Sequence, residues 1–378
     1  MTKEIVLRIC SILLGLLLIV QISTINISLP LSPQSYGVIK QSVNTALTYS
    51  FFSKQSAQLA TSTTESNAVL FVGDVLLARN IESLMLKNGV TYPFLGIDTS
   101  SFPSSWSVVG NFESAVPKKH QPTSAGELRF SVNEEMLPSL KQAGFTHVSL
   151  ANNHSFDFGT DDFIHTNQVL IDTGLVSFGH PKKVDDSSVA FLEIGKSVIA
   201  LIGIHTLFTI PPDKTLTALF SYVSARSDIQ VAYVHWGTEY DEQNDLTQRL
   251  FAEKLVAFGA DLIVGHHPHV VQNVDLIEGV PVFYSLGNFI FDQYFSVETE
   301  QGLTLQLHLT PEPALYLFPV SSQEKISQPR LMDEDNRIAF LQRLAERSDS
   351  RLTQDIKHGI VPLYNLVATS SKIAMIIE

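Results

Sequence analysis

The 378-residue chain has a single cysteine, Cys10, and that scarcity removes two options at once. No intrachain disulfide can form, and no cysteine-based zinc site can be assembled. Cys10 also stands at the start of the main apolar run of the N-terminus, the reverse of a lipoprotein signal, where the modified cysteine follows that run. Basic residues are scarce as well, 25 Lys and Arg against 38 Asp and Glu, for a formal net charge of −13. A general nucleic-acid binder presents a basic face, so this balance argues against one. A free anionic polymer would be repelled too, unless a metal ion or a local cluster of Lys and Arg supplies positive charge. No internal repeat is visible.

Among the features present, the first is the apolar N-terminus. Ile9 to Val20 is almost wholly apolar, and the stretch from Ile5 to Ile25 matches the roughly 20 residues that cross a bilayer. No small-x-small cleavage pattern follows it, so residues 1–27 read as an uncleaved single-pass anchor rather than a removed signal peptide. Lys3 and Arg8 before the span put the N-terminus in the cytoplasm and the body outside the cell membrane. Residues 28–67 are rich in Ser, Thr and Gln and poor in charge, as in a flexible linker.

From Ala68 the texture becomes that of an α/β domain. Short apolar runs, Val69–Val72, Ser107–Val109, His147–Leu150, Ile229–Val234, Asp261–Val264 and Val280–Tyr284, each end in a polar cluster. Helical patterns lie between them at Glu134–Ala143, Asp162–Thr173, Thr215–Ser227 and Leu246–Phe258. Phe191–Ala200 reads as an antiparallel hairpin around Gly195-Lys196, feeding a second sheet. Residues 68–310 are therefore read as the main domain. Residues 311–378, with a strand at Ala314–Phe318 and a helix at Asp335–Arg347, complete it.

Polar clusters at the C-terminal ends of strands are where α/β sheets place their ligands. The densest is Gly265-His266-His267-Pro268-His269, in which His267 and His269 can aim at one point while alternation sends His266 away from them. Collected with Asp74, Asn111, Glu113, Asn153, His154 and His235, these groups offer carboxylates, an amide oxygen and imidazoles, the donors of a mononuclear or dinuclear divalent site. Asp157, Glu239 and Asn288 stand near the cluster in sequence. His154 is placed to act as a general acid toward a leaving group. Blander roles fit some of these residues taken singly. Asp74 suits a helix cap with Arg79 as its partner, and His235 suits a satisfied core histidine.

The motifs Gly73-Asp74, Asn111-Phe112-Glu113, Asn152-Asn153-His154-x-x-Asp157, His235-Trp236-Gly237-x-Glu239, His267-Pro268-His269-Val270 and Ser285-Leu286-Gly287-Asn288-Phe289 resemble those of the bacterial CapA family over roughly residues 68–295. That family is tied to poly-gamma-glutamate capsule synthesis. It resembles in turn the calcineurin-like metallophosphatases, which form a four-layer α/β/β/α sandwich with metals at the strand ends. The resemblance implies a membrane-anchored, surface-facing protein in the synthesis, export or anchoring of an anionic γ-glutamyl polymer. It implies one or two divalent ions of the Mn, Fe or Zn type. It also implies the polymer or its precursor, and membrane synthase components, as partners. Carried over residue by residue, it assigns Asp74, Glu113, Asn153, His235, His267 and His269 to metal and His154 to proton transfer. There are two departures. Asp74 lacks the histidine of an Asp-x-His pair, and Asn111 stands at the bridging aspartate, with Glu113 reaching in or Asn111 binding weakly. Two readings stay open: a metal-dependent hydrolase or phosphoesterase-like enzyme, and a non-catalytic polymer- or synthase-binding component on the same fold.

Overall fold

A computed structural model describes residues 68–366 except 97–105, 125, 311, 324–325 and 365. The anchor expected over residues 1–27 and the linker over 28–67 lie outside the described residues. Among the described residues no helix is long and apolar enough to cross a membrane.

The chain builds one sheet, leaves it for a second, and returns to finish the first. Strands β1 (Ala68–Val75), β2 (Ser107–Phe112), β3 (Phe145–Ser149) and β4 (Val176–Phe178) run parallel side by side. Helices α1 (Asn80–Asn88), α2 (Leu137–Gln142) and α3 (Thr160–Asp172) connect them. The second sheet takes β5 (Val189–Ile194), β6 (Ser197–His205), β7 (Ile229–His235), β8 (Leu262–His266), β9 (Val274–Ile277) and β10 (Val280–Phe283) in the order β5-β6-β7-β8-β10-β9. Helices α4 (Asp213–Ser224) and α5 (Leu246–Phe258) cross over between its parallel strands. β11 (Asn288–Ile290), β12 (Gln301–His308), β13 (Ala314–Ser321), β14 (Arg330–Leu331) and β15 (Ile360–Pro362) rejoin the first sheet, with β11 and β12 both on β1. Helices α6 (Glu334–Arg347) and α7 (Thr353–His358) lie between β14 and β15.

The two-residue period of the strands sets the layers. Val69 and Phe71 of β1 meet Val231, Tyr233, Leu262 and Val264 of the second sheet in one core. Their neighbours Leu70 and Val72 face the other way, onto Ile81, Leu140 and Leu170 of α1, α2 and α3. On the far side Ala232, Val234 and Ile263 pack against Leu216, Phe220 and Leu255 of α4 and α5. Helices thus cover two face-to-face sheets, giving the expected α/β/β/α layering. Phe340, Leu341 and Leu344 of α6 extend the inter-sheet core.

Register then brings polar residues into line. Asn288, Asp74 and Asn111 are adjacent across β11, β1 and β2. His205, His235 and His266 are adjacent across β6, β7 and β8. Two glycines let the strand ends close on the loop before β11. A Cβ on Gly73 would lie 2.0 Å from the Gly287 carbonyl oxygen, and one on Gly265 would lie 2.0 Å from that of Tyr284 and 2.6 Å from Trp236 Nε1.

Two outcomes follow for stability. Gly265→Ala forces backbone apart rather than a flexible side chain. It should cost about 3 kcal/mol and lower the midpoint of thermal unfolding by at least ~5 °C, and an unchanged midpoint would contradict the close approach. His147 on β3 is held neutral by burial, with the Lys141 charge adding, so its pKa falls to about 4. An unfolded chain binds that proton near pH 6.5, so stability is full above that value and is lost as pH falls toward 4. His147→Asn should flatten this limb of stability against pH by up to ~1.4 kcal/mol per pH unit in acid-dependent denaturant titrations.

Candidate metal centre

The two registered rows face each other at one end of the sandwich, and Asp74 joins them. Its carboxylate is fully buried. Oδ1 accepts from Asn111 Nδ2 at 2.8 Å and from His266 Nδ1 at 3.1 Å. Oδ2 accepts the His267 backbone N–H at 3.4 Å and lies 3.4 Å from His269 Nδ1. Burial alone would raise this pKa, but the hydrogen bonds and charges of His266 and His269 outweigh it and hold the carboxyl well below its ordinary range. Asp74 caps no helix: α1 begins at Asn80, and Arg79 pairs with Asp292 instead.

His266 does not turn away from the site. Leu262, Val264 and His266 share the face of β8 that looks into the inter-sheet space, so alternation delivers His266 onto Asp74, with its ring 4.2 Å from that of Tyr233. The strand ends there, and the backbone then curls through positive φ at His267 (99°) and His269 (60°). The curl overrides simple alternation and brings all three histidines to one place.

Glu113 follows β2 directly and is buried. Burial, with the charges of Asp74 and Glu239 adding, pushes its pKa well above the usual value. Its Oε1 has no hydrogen-bond partner, and it lies 3.8 Å from His269 Nε2 and 3.9 Å from His154 Nε2. His267 Nδ1 is also buried without a partner. Burial, with the His269 charge adding, lowers the His267 pKa to about 3. Burial acts the same way on His269, but the charges of Glu113 and Asp74 prevail and raise it to about 9. Glu113, His267 and His269 together present one donor atom each within 4.8 Å. Two of these three residues carry a buried atom without a partner, Glu113 Oε1 and His267 Nδ1, so the residues present fit a metal.

Asn288 aims His269. Its Nδ2 donates to the Thr299 carbonyl and to Gln293 Oε1, both at 3.0 Å, which leaves Oδ1 to accept His269 Nδ1–H at 3.0 Å. Nε2 of His269 is thereby turned toward Glu113. His235 is buried and held well below its ordinary pKa, first by burial and then by the His267 charge. Its Nδ1 faces Asn111 Nδ2 at 3.3 Å and its Nε2 faces Asn153 Oδ1 at 2.7 Å. A second set, Asp74, Glu113 and His235, also lies within 4.8 Å.

His154 stands at the rim. Its Nδ1 donates to Asp157 Oδ2 at 3.1 Å, its ring stacks on Phe130 with centroids 3.8 Å apart, and Nε2 is the nitrogen left facing Glu113. Arg79 lies over the Phe130 and Phe291 rings, and its positive charge is felt at Glu113. Trp236 is buried against Phe251 and Tyr284 and serves packing, whereas Tyr240 and Glu239 are exposed.

The pattern that defines the bacterial capsule synthesis protein family PGA_cap matches residues 68–293, the span that carries every residue of this centre. The chain belongs to that family. The PGA biosynthesis protein CapA of Bacillus subtilis is 29% identical over 314 residues, 76% of this chain and 82% of that one. The capsule biosynthesis protein CapA of Bacillus anthracis is 30% identical over 288 residues, 70% of each chain. A solved phosphatase from Mycoplasma pneumoniae overlaps at 16% identity with a TM-score of 0.41, covering 70% of this chain and 91% of that one.

The geometry of Asn288 yields a measurable outcome for this family member. Asn288→Ala frees the His269 ring to rotate, and the affinity for Zn²⁺ or Mn²⁺ in chelator competition should fall by about 10- to 100-fold. Equal affinities would show that Asn288 does not orient a ligand.

Proposed function

We propose that this protein is a membrane-anchored, surface-facing component of capsule synthesis that carries out a metal-dependent, hydrolase-type step on a poly-gamma-glutamate-type polymer or its precursor. The family and the relatives named for PGA and capsule biosynthesis support the pathway. In this reading residues 1–27 anchor the chain with its N-terminus in the cytoplasm, and Lys3 and Arg8 ahead of the apolar run support that orientation. The layering of two sheets between helices, with polar residues at the strand ends, supports a metallophosphatase-type fold.

One observation carries the chemistry. A buried carboxylate oxygen and a buried imidazole nitrogen stand unpartnered in one cluster, with a histidine–aspartate pair at its rim. Glu113, His267 and His269 would hold a divalent ion. Such an ion supplies Lewis acidity to a phosphoryl or acyl oxygen. Asp157 fixes His154 so that a proton moves at Nε2, toward the space beside Glu113, where a leaving group would sit. Arg79, paired with Asp292, is a cation whose charge reaches Glu113 at the edge of this space. Phe130 keeps water from one face of the His154 ring.

The second reading, a polymer- or synthase-binding component without turnover, is favoured by Leu76. It occupies the place of the missing histidine and is wholly buried in the helix-side core. The full chain carrying His154→Ala separates the two. Metal content should stay at the wild-type level while surface polymer falls at least ~100-fold, the lower end for loss of an acid–base group. His267→Ala combined with His269→Ala should lose both metal and polymer. Normal polymer from the His154→Ala protein would remove the catalytic reading and leave the binding one.

A further inference from the structure

The two possible ligand sets share Glu113, yet their hydrogen bonding is opposite in kind. In the set of Glu113, His267 and His269, Glu113 Oε1 and His267 Nδ1 have no partner. In the set of Asp74, Glu113 and His235, the donors of Asp74 and His235 are already taken. Each Asp74 oxygen faces two nitrogens, and both nitrogens of His235 are engaged. The atom at the middle of this second set belongs to Asn111. Its Nδ2 lies 2.8 Å from Asp74 Oδ1, 3.3 Å from His235 Nδ1 and 3.4 Å from Glu113 Oε2, within reach of one atom of every member.

The direction of that amide is fixed by a chain of bonds that ends on backbone. Asn152 Oδ1 accepts the backbone N–H groups of His154 (3.1 Å) and Ser155 (2.9 Å) and the Ser155 hydroxyl (2.8 Å). Backbone N–H groups only donate, so the other side of the Asn152 amide must be its NH₂. That NH₂ donates to the Phe112 carbonyl at 2.9 Å and to Asn111 Oδ1 at 3.0 Å. Asn111 therefore turns its own NH₂ into the centre. Reversing it would set NH₂ against NH₂ on one side and a carbonyl oxygen against two carboxylates on the other. An amide nitrogen has no lone pair free for a metal, and its N–H groups oppose a cation.

We infer that this chain holds a single divalent ion, at Glu113, His267 and His269, and that the Asn111 amide occupies the position of a second. Asp74 and His235 then act on the centre as hydrogen-bonding supports rather than as ligands. The inference rests on the metal reading above and adds the stoichiometry and the residue that sets it.

The test loads the full chain with Mn²⁺, removes unbound ion, and measures metal per chain together with the electron paramagnetic resonance spectrum. Wild type should hold one ion with the six-line signal of isolated Mn²⁺. Asn111→Asp, which restores a carboxylate at the bridging place, should raise the content to two and give the broadened spectrum of a coupled pair. Two ions in wild type, or one in a folded Asn111→Asp protein, overturns the inference while the metal reading survives. No ion in wild type overturns both. Should Asn111→Asp fail to fold, the wild-type count and spectrum decide alone.

Discussion

A carboxylate withdrawn completely from water must be compensated where it lies, and Asp74 is compensated from both sheets. Asn111 reaches it along the first sheet, and His266, His267 and His269 reach it from the end of the second. The inter-sheet core brings these elements together by apolar burial, which is not directional. The donors around Asp74 add direction, since they are satisfied only when β1 and β8 stand at one particular offset. Glu113 differs in that its outer oxygen is left without a donor, and this asymmetry between two neighbouring carboxylates is what marks the centre as a place for a cation.

Support around the centre is layered outward in the same currency. Asn288 holds His269, Asn152 holds Asn111, Asp157 holds His154, and each of these is held in turn by backbone groups or by residues of another element. Rings oriented this way lose little further freedom on binding an ion, which favours affinity over adaptability. Arg79 extends the scheme to the rim, where it is wedged between two phenylalanine faces and tied to Asp292.

Buried parallel strands read as continuous apolar runs that stop at a polar turn. For that reason β1, β7, β8 and the polar groups at their ends could be read from the sequence. The helix at Leu246–Phe258 was visible through its apolar spacing, and the structure adds a capping box of Asp245 and Gln248 at its start and a left-handed Gly259 at its end. The three-residue β11 was not, being too short to show a period, and the nine-residue α1 also went unread. The place of His266 escaped because strand alternation tells which residues share a face but not which face looks inward. The direction of the Asn111 amide depends on Asn152, 41 residues later, and Arg79 finds its partner 213 residues away. Such pairings are consequences of topology, and no local pattern encodes them.

The rows Asn288–Asp74–Asn111 and His205–His235–His266 lie on different sheets, and Asp74 and His266 are 192 residues apart in sequence. Glu113 comes with one sheet, and His267 and His269 come with the other. A folding intermediate with a single sheet formed therefore owns at most part of the proposed centre. Contacts so distant along the chain carry a large loop-closure cost. Capture of an ion at the proposed centre would therefore require both sheets to have met, which ties it to completed assembly.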